Sequence, residues 1–218
     1  MKVKWYGHAA FLLTSDKGFK IITDPYEPGG FGGQIGYGKI SDVADVVLIS
    51  HDHADHNYVQ GLSGKPRVIK GVGLHKVKDL EFKGIGTYHD ESQGSERGQN
   101  TIFCFTLDGL RICHLGDLGH VPNDSEAKEI GPVDLLLLPV GGLYTINPSQ
   151  ATRTAQQLDP RVIIPMHYKT SKCGFPLATV EEFTGGKPSV KFFQGAELEI
   201  KKEALPKGPE INVLAPAL

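Results

Sequence analysis

Twelve short stretches with strand character, each bounded by turn-forming residues, constrain this chain more than anything else in it. They are Val3–Trp5, Ala10–Thr14, Phe19–Thr23, Val46–Ser50, Arg67–Ile69, Phe82–Tyr88, Thr101–Leu107, Leu110–His114, Asp134–Val140, Arg161–Met166, Val190–Phe193 and Leu198–Lys201. Their length and their Val, Ile and Phe content predict β-strands. Helix signals are fewer: a short turn over Tyr58–Leu62, a start at Pro148–Ser149 leading into Gln150–Leu158, and a start at Leu177–Thr179 leading into Val180–Phe183. Strands dominate the first half and alternate with helices in the second. That order predicts two sheets packed together with helices outside. No internal repeat interrupts it.

With 218 residues, 39% of them hydrophobic, the chain can bury one real core, and one domain over residues 1–203 accounts for it. The Pro-rich segment 204–218 lacks helix or sheet period. It reads as a tail, either frayed, packed on its own domain, or offered to a second copy in a homo-oligomer. The formal net charge of −2 and the scattered Lys and Arg argue against a nucleic-acid partner. No apolar run is long enough to span a bilayer and no leader-like segment opens the chain, so no membrane partner is expected and the cytoplasm is the default compartment.

Two other stretches stand out. Glu27–Lys39 is so Gly-rich that it reads as a mobile loop, carrying Phe31 and Tyr37, and serving either as a connection or as a lid. Thr101–Leu107 and Leu110–His114 flank Asp108-Gly109 as a hairpin with a two-residue turn. Counting outward from that turn places Cys104 opposite Cys113. With an odd total of three cysteines and no C-x-x-C, a reduced, packed pair is favoured over a cross-strand disulfide.

Chemistry concentrates after the apolar run Val46–Ile49, in Ser50-His-Asp-His-Ala-Asp-His56. His51, His53, Asp55 and His56 form an H-x-H-x-D-H turn where a rigid sheet can aim side chains at one point. Neutral imidazole and carboxylate suit zinc, and also manganese, iron or nickel. Asp52, at the first x position of that turn, is expected beside the site or in solvent.

This turn resembles the signature of the metallo-β-lactamase superfamily, and the resemblance continues along most of the chain. His89 in Gly86-Thr-Tyr-His, Asp117 in Leu115-Gly-Asp-Leu-Gly119 and His167 in Ile163-Ile-Pro-Met-His are similar to the family's later ligands. Trp5-Tyr-Gly-His-Ala-Ala, Asp24-Pro25 and Gly116-Asp-Leu-Gly-His120 resemble the branch of ascorbate-6-phosphate lactonase and of uncharacterised metal-dependent hydrolases. The resemblance implies an α/β fold, a four-layer αββα sandwich of two packed mixed β-sheets with helices outside. It also implies two divalent metal ions per chain. His51, His53 and His89 would hold one, Asp55, His56 and His167 the other, with Asp117 bridging them.

Such a pair lowers the pKa of a bridging water until hydroxide forms near neutral pH. Asp55 and Asp117 are then the catalytic carboxylates, in a hydrolase acting on an ester, lactone or phosphodiester bond of a small molecule. Two alternatives remain. Related di-iron redox enzymes typically carry Glu at the second His of the turn and an added flavin domain, whereas His53 is intact here. A phosphodiesterase or nuclease of the superfamily would show a basic exosite or a large insertion, and neither is visible.

Further candidates surround this set. His8 either contacts the site or packs on the first strand. His114 is expected to be a buried support of the metal loop before a ligand, and His120 either reaches substrate or is exposed. Arg97, with Asn100 nearby, either clamps an anionic group or lies on a solvated turn. Tyr144 and Tyr168 are hydroxyl donors or packing residues. Backbone N–H groups of Pro139–Thr145 could approach an oxyanion.

Overall fold

The computed structural model describes residues 1–218. In chain order its strands are β1 (Lys2–Gly7), β2 (Ala10–Thr14), β3 (Lys20–Thr23), β4 (Val46–Ile49), β5 (Arg67–Lys70), β6 (Gly73–Val77), β7 (Leu80–Tyr88), β8 (Gln99–Leu107), β9 (Leu110–His114), β10 (Leu135–Pro139), β11 (Val162–Met166), β12 (Val190–Phe192), β13 (Glu197–Glu199) and β14 (Glu210–Val213). Its helices are α1 (Gly30–Gly33), α2 (Asp124–Ile130), α3 (Pro148–Leu158) and α4 (Val180–Thr184). The fold is α/β. One mixed sheet runs β13-β1-β2-β3-β4-β5, and a second runs β12-β14-β11-β10-β9-β8-β7-β6.

Alternation along the strands explains why the sheets stack. Val3 and Trp5 of β1, Phe11 and Leu13 of β2, and Val46 and Leu48 of β4 face the inter-sheet core. Their neighbours Tyr6, Leu12, Val47 and Ile49 face outward into a second apolar cluster. That outer cluster is not covered by a regular helix. Ile35, Tyr37, Ile40, Phe175 and Leu177, from loops, fill it instead. Glycines and prolines in 25–38 limit helix there to the single irregular turn of α1, whose Phe31 and Gly32 have left-handed dihedrals, while the apolar residues around it still gain by burial. The Gly-rich stretch is thus anchored, by Gly36 N–H to Lys172 O at 2.8 Å and by Tyr37 Oη to Thr170 Oγ1 at 2.8 Å. Phe31 at its tip stays 51% exposed.

Three elements differ from the pattern expected of the sequence. Strand β6 has no apolar run, because its side chains are largely exposed and it is held by pairing with β7. Helix α2 has only Ile130 buried, but Asn123 and Glu126 form a capping box that starts it. The segment 204–218 is not a free tail: β14 inserts between β11 and β12, burying Ile211 and Val213, and Ala217 N–H reaches Trp5 O at 2.9 Å. Its period is too short to read, and its partners are distant in the chain. No helix is long and apolar enough to cross a membrane.

Candidate metal centre

Strand ends assemble the site. The parallel strands β4, β10 and β11 release their loops at one end of the sandwich, and the turn after β4 brings His51, His53, Asp55 and His56 there. His56 and Asn57 N–H both return to His53 O, which coils this turn tightly. His89 follows β7, Asp117 follows β9, and His167 follows β11. His8 follows β1 through a register shift between Trp5 and Gly7.

Gly7 has φ +127, and a Cβ there would collide with the Tyr37 ring. Glycine is therefore required to let the chain turn. His8 and His167 both adopt positive φ, near 52, and His167 N–H donates to His8 O at 3.1 Å.

Asp117 Oδ2 lies at the focus. His56 Nε2 is 3.1 Å away, His89 Nε2 3.2 Å, His167 Nε2 3.3 Å and His51 Nε2 3.9 Å. Three sets of ligand atoms lie within 4.8 Å of one another: His51 with His53 and His89, His51 with His56 and Asp117, and His8 with Asp55, His56 and His167. The seven residues expected as ligands thus come together, and His8 joins them. His8 Nε2 lies 3.0 Å from Asp55 Oδ2.

Electrostatics within the cluster are divided. Burial, with His56 next, pushes His51 down to about 3, and burial with His167 pushes His8 down to about 4. Burial also opposes charge on His56 and His89, but at His56 the carboxylates of Asp117 and Asp55 outweigh it, and at His89 that of Asp117, so both titrate above the usual imidazole value. Asp117 and Asp55 are held well below the usual carboxylate range despite burial, Asp117 chiefly by His167 and His56, and Asp55 chiefly by His56 and His8. Two buried carboxylates stay ionised among imidazoles.

Several of these atoms have no hydrogen-bond partner, including His51 Nε2, His56 Nε2, Asp55 Oδ1 and Asp117 Oδ1. Leaving such buried groups unpaired is costly, and divalent cations would satisfy them. The donor set of imidazole and carboxylate fits zinc and its neighbours.

A support network lies behind the ligands, and its central residue, Asp24, was not singled out as a site residue in the sequence. Fully buried, Asp24 accepts from Ser50 N–H, Ser50 Oγ–H and His114 Nε2, each at 2.7 Å, and His56 Nδ1 approaches it to 3.3 Å. Ser50 Oγ in turn lies 2.9 Å from His51 Nδ1. His114 therefore supports the ligands through Asp24. Asn100 is also a support: its Oδ1 accepts Asp117 N–H at 3.0 Å, and its amide donates to Thr87 Oγ1 and Leu115 O. The Asp24-Pro25 pair was the available sequence signal for this network. A carboxylate far from the His turn gave no hint of its contacts.

The cleft over the centre has a volume of about 410 Å³. His53, Asp55, His89, Asp117 and His167 are among its lining residues, with Arg97, Tyr144, Phe31 and Phe175. The Arg97 guanidinium sits 5.1 Å from the centroid of the Tyr144 ring, and Tyr144 meets Phe175 edge to face. Asp90 shapes the loop that carries Arg97: its carboxylate accepts the N–H groups of Ser92, Gly94, Glu96 and Arg97. Asp52, expected beside the site or in solvent, lies at the cleft rim, where it pairs with Lys70. Three candidates fall elsewhere. His120 does not line the cleft; it contacts Tyr88 N–H and Val121 O. Tyr168 packs against Trp5. In 139–145 the N–H groups of Val140, Gly142, Tyr144 and Thr145 are taken by backbone carbonyls and are not available to an oxyanion.

A family model described as the beta-lactamase superfamily domain matches residues 2–167. A UPF0173 metal-dependent hydrolase of Pyrococcus abyssi is 32% identical, over 92% of this chain and all of that protein. Another, of Thermococcus kodakarensis, is 31% identical over the same shares. A solved Thermotoga maritima structure of the metallo-β-lactamase superfamily is 38% identical, with a TM-score of 0.80, over 98% of this chain and 97% of that one. Fold, ligand turn and these relatives agree, and the chain belongs to the metallo-β-lactamase superfamily.

Proposed function

We propose that this chain is a metal-dependent hydrolase that holds two divalent cations, zinc foremost, and cleaves an ester, lactone or phosphodiester bond of a small molecule. The observation that carries this reading is the convergence of four imidazoles on Asp117 Oδ2, with further ligand atoms unpartnered around it. His51, His53 and His89 would hold one cation, Asp55, His56 and His167 the other, and Asp117 would be shared. The cations, when bound, supply a water acidic enough to ionise near neutral pH and polarise the oxygen of the bond being cut.

The remaining work belongs to side chains. His8 occupies Asp55 Oδ2, which leaves Oδ1 without a partner. As the one free oxygen of Asp55, Oδ1 would hold the cation and so help to orient the attacking water. Asn100 and Asp24 hold the Asp117 and His56 loops in place, so the reacting groups need not reorganise during the reaction. Arg97 is the one cationic side chain, other than the histidines, among the residues lining the cleft. Stacked on Tyr144, it offers a fixed fork to an anionic group of the substrate. A cleft of about 410 Å³ is of small-molecule size.

Metal analysis of protein purified without chelators, combined with a panel of lactones, esters and phosphodiesters, tests the reading. The expected result is about two divalent ions per chain and a hydrolysis that chelation abolishes and metal restores. Absence of bound metal under all conditions, or full hydrolysis by Asp117→Ala, would refute it.

A further inference from the structure

Away from the metal cleft, the outer face of the second sheet carries a cavity of about 690 Å³ beside the end of α2. Cys104 and Cys113 lie in its lining, with Lys83, Arg111 and Glu129 nearby. The hairpin explains why the two thiols meet. Asp108 and Gly109 both have positive φ, as a two-residue primed turn requires. Pairing runs Leu107 with Leu110, Thr106 with Arg111, Phe105 with Ile112 and Cys104 with Cys113.

The pair flanking such a turn exchanges both hydrogen bonds, and bonded and non-bonded pairs alternate outward from it. Cys104 and Cys113 consequently form a non-hydrogen-bonded pair, the kind with the shorter separation. At such sites the Cα atoms stand about 4.5 Å apart, inside the range a disulfide spans. Their sulfurs are 3.7 Å apart as free thiols. The third cysteine, Cys173, is buried in the separate cluster outside the first sheet.

We propose that Cys104 and Cys113 form a dithiol site that closes reversibly to a disulfide by exchange with a small-molecule disulfide admitted through this cavity. In the first step the Cys104 thiolate attacks one sulfur of the small disulfide, forming a mixed disulfide and releasing one small thiolate. In the second, Cys113 loses its proton and displaces the other small thiolate. The protein pair is oxidised by two electrons, the small disulfide is reduced to two thiols, and the two protein protons leave with them.

The order of attack follows from the surroundings. Cys104 is only partly buried, and its contact with Cys113, aided by Lys83 and Arg111 and opposed by burial, lowers its pKa below that of an ordinary thiol. Cys113 is fully buried, and burial raises its pKa well above that value. Cys104 is the attacking group and Cys113 the resolving one. Because the strands already stand at disulfide distance, closure asks for side-chain rotation only.

Native protein incubated with glutathione disulfide tests this. By intact mass and thiol titration, wild type is expected to lose two hydrogens and two of its three thiols without a retained glutathione, and to recover all three with dithiothreitol. Cys113→Ser and Cys113→Ala are each expected to trap one glutathione on Cys104. Cys104→Ser is expected to stay unmodified while folded. Three thiols retained by native wild type, glutathione left on wild type, or faster modification at Cys113 or Cys173 than at Cys104 would each overturn the proposal.

Discussion

Asp24→Asn keeps the size of the side chain and removes its charge, at a residue that touches no substrate. Asp24 Oδ1 takes the Ser50 N–H, and Oδ2 faces Ser50 Oγ, His114 Nε2 and His56 Nδ1. With the Asn oxygen at the Oδ1 position, the Ser50 N–H bond survives and an NH2 group meets the other three. The Ser50 hydroxyl can turn to accept. His114 can accept too, by changing tautomer, since its Nδ1 has no partner. His56 has no such freedom once its Nε2 serves a metal, because its Nδ1 then carries the proton. One charge-assisted interaction is lost, worth about 1.5–3 kcal/mol. That corresponds to about 10–100-fold weaker metal binding, the usual consequence of losing such an outer partner. Competition against a chromophoric chelator measures it, with thermal unfolding of both apoproteins as the control. A folded variant with wild-type metal affinity would refute the assignment of Asp24 as the residue that orients His56.

The same residue gives a signed pH dependence. Burial opposes charge on Asp24, but His114 and His56 outweigh it and depress its folded pKa. Its stabilisation of the apoprotein is therefore present above the unfolded carboxylate pKa of about 3.9 and is lost as pH falls through the lower folded value.

Three other outcomes are expected. Gly7→Ala meets both the Tyr37 ring and a φ of +127, and should lower the urea midpoint by an amount equivalent to about 1–3 kcal/mol or more; an unchanged midpoint would contradict the turn argument. Arg97→Ala should raise KM about 10–100-fold for anionic substrates with kcat nearly constant, while equal losses on matched neutral substrates would remove the clamp role. Metal affinity should rise as pH climbs above the ordinary imidazole pKa of about 6.5, because His56 and His89 still bind protons there and His51 does not. A pH-independent affinity between pH 6 and 8, measured by calorimetry, would refute that competition.

Much of the architecture was legible because strands announce themselves locally. Val46–Ile49 is apolar throughout since both of its faces are buried, and Asp108-Gly109 specifies its hairpin closely enough to pair Cys104 with Cys113 by counting. Strand β6 and helix α2 were hidden because each buries too little apolar surface to leave a period. Strand β14 was hidden because what makes it a strand is the pair of neighbours, β11 and β12, between which it inserts.

The sequence by itself determined the ligand-rich turn and the sheet-on-sheet class, each from residue type and spacing within a few positions, while the later His and Asp positions were legible through the family resemblance. Only tertiary structure decided that His8 stands against Asp55, that Asp24 carries Ser50, His114 and His56 together, and that Arg97 rests on Tyr144 beside the cleft. These are contacts between residues tens of positions apart. Their strength comes from burial and from angles that exist only once the two sheets have closed.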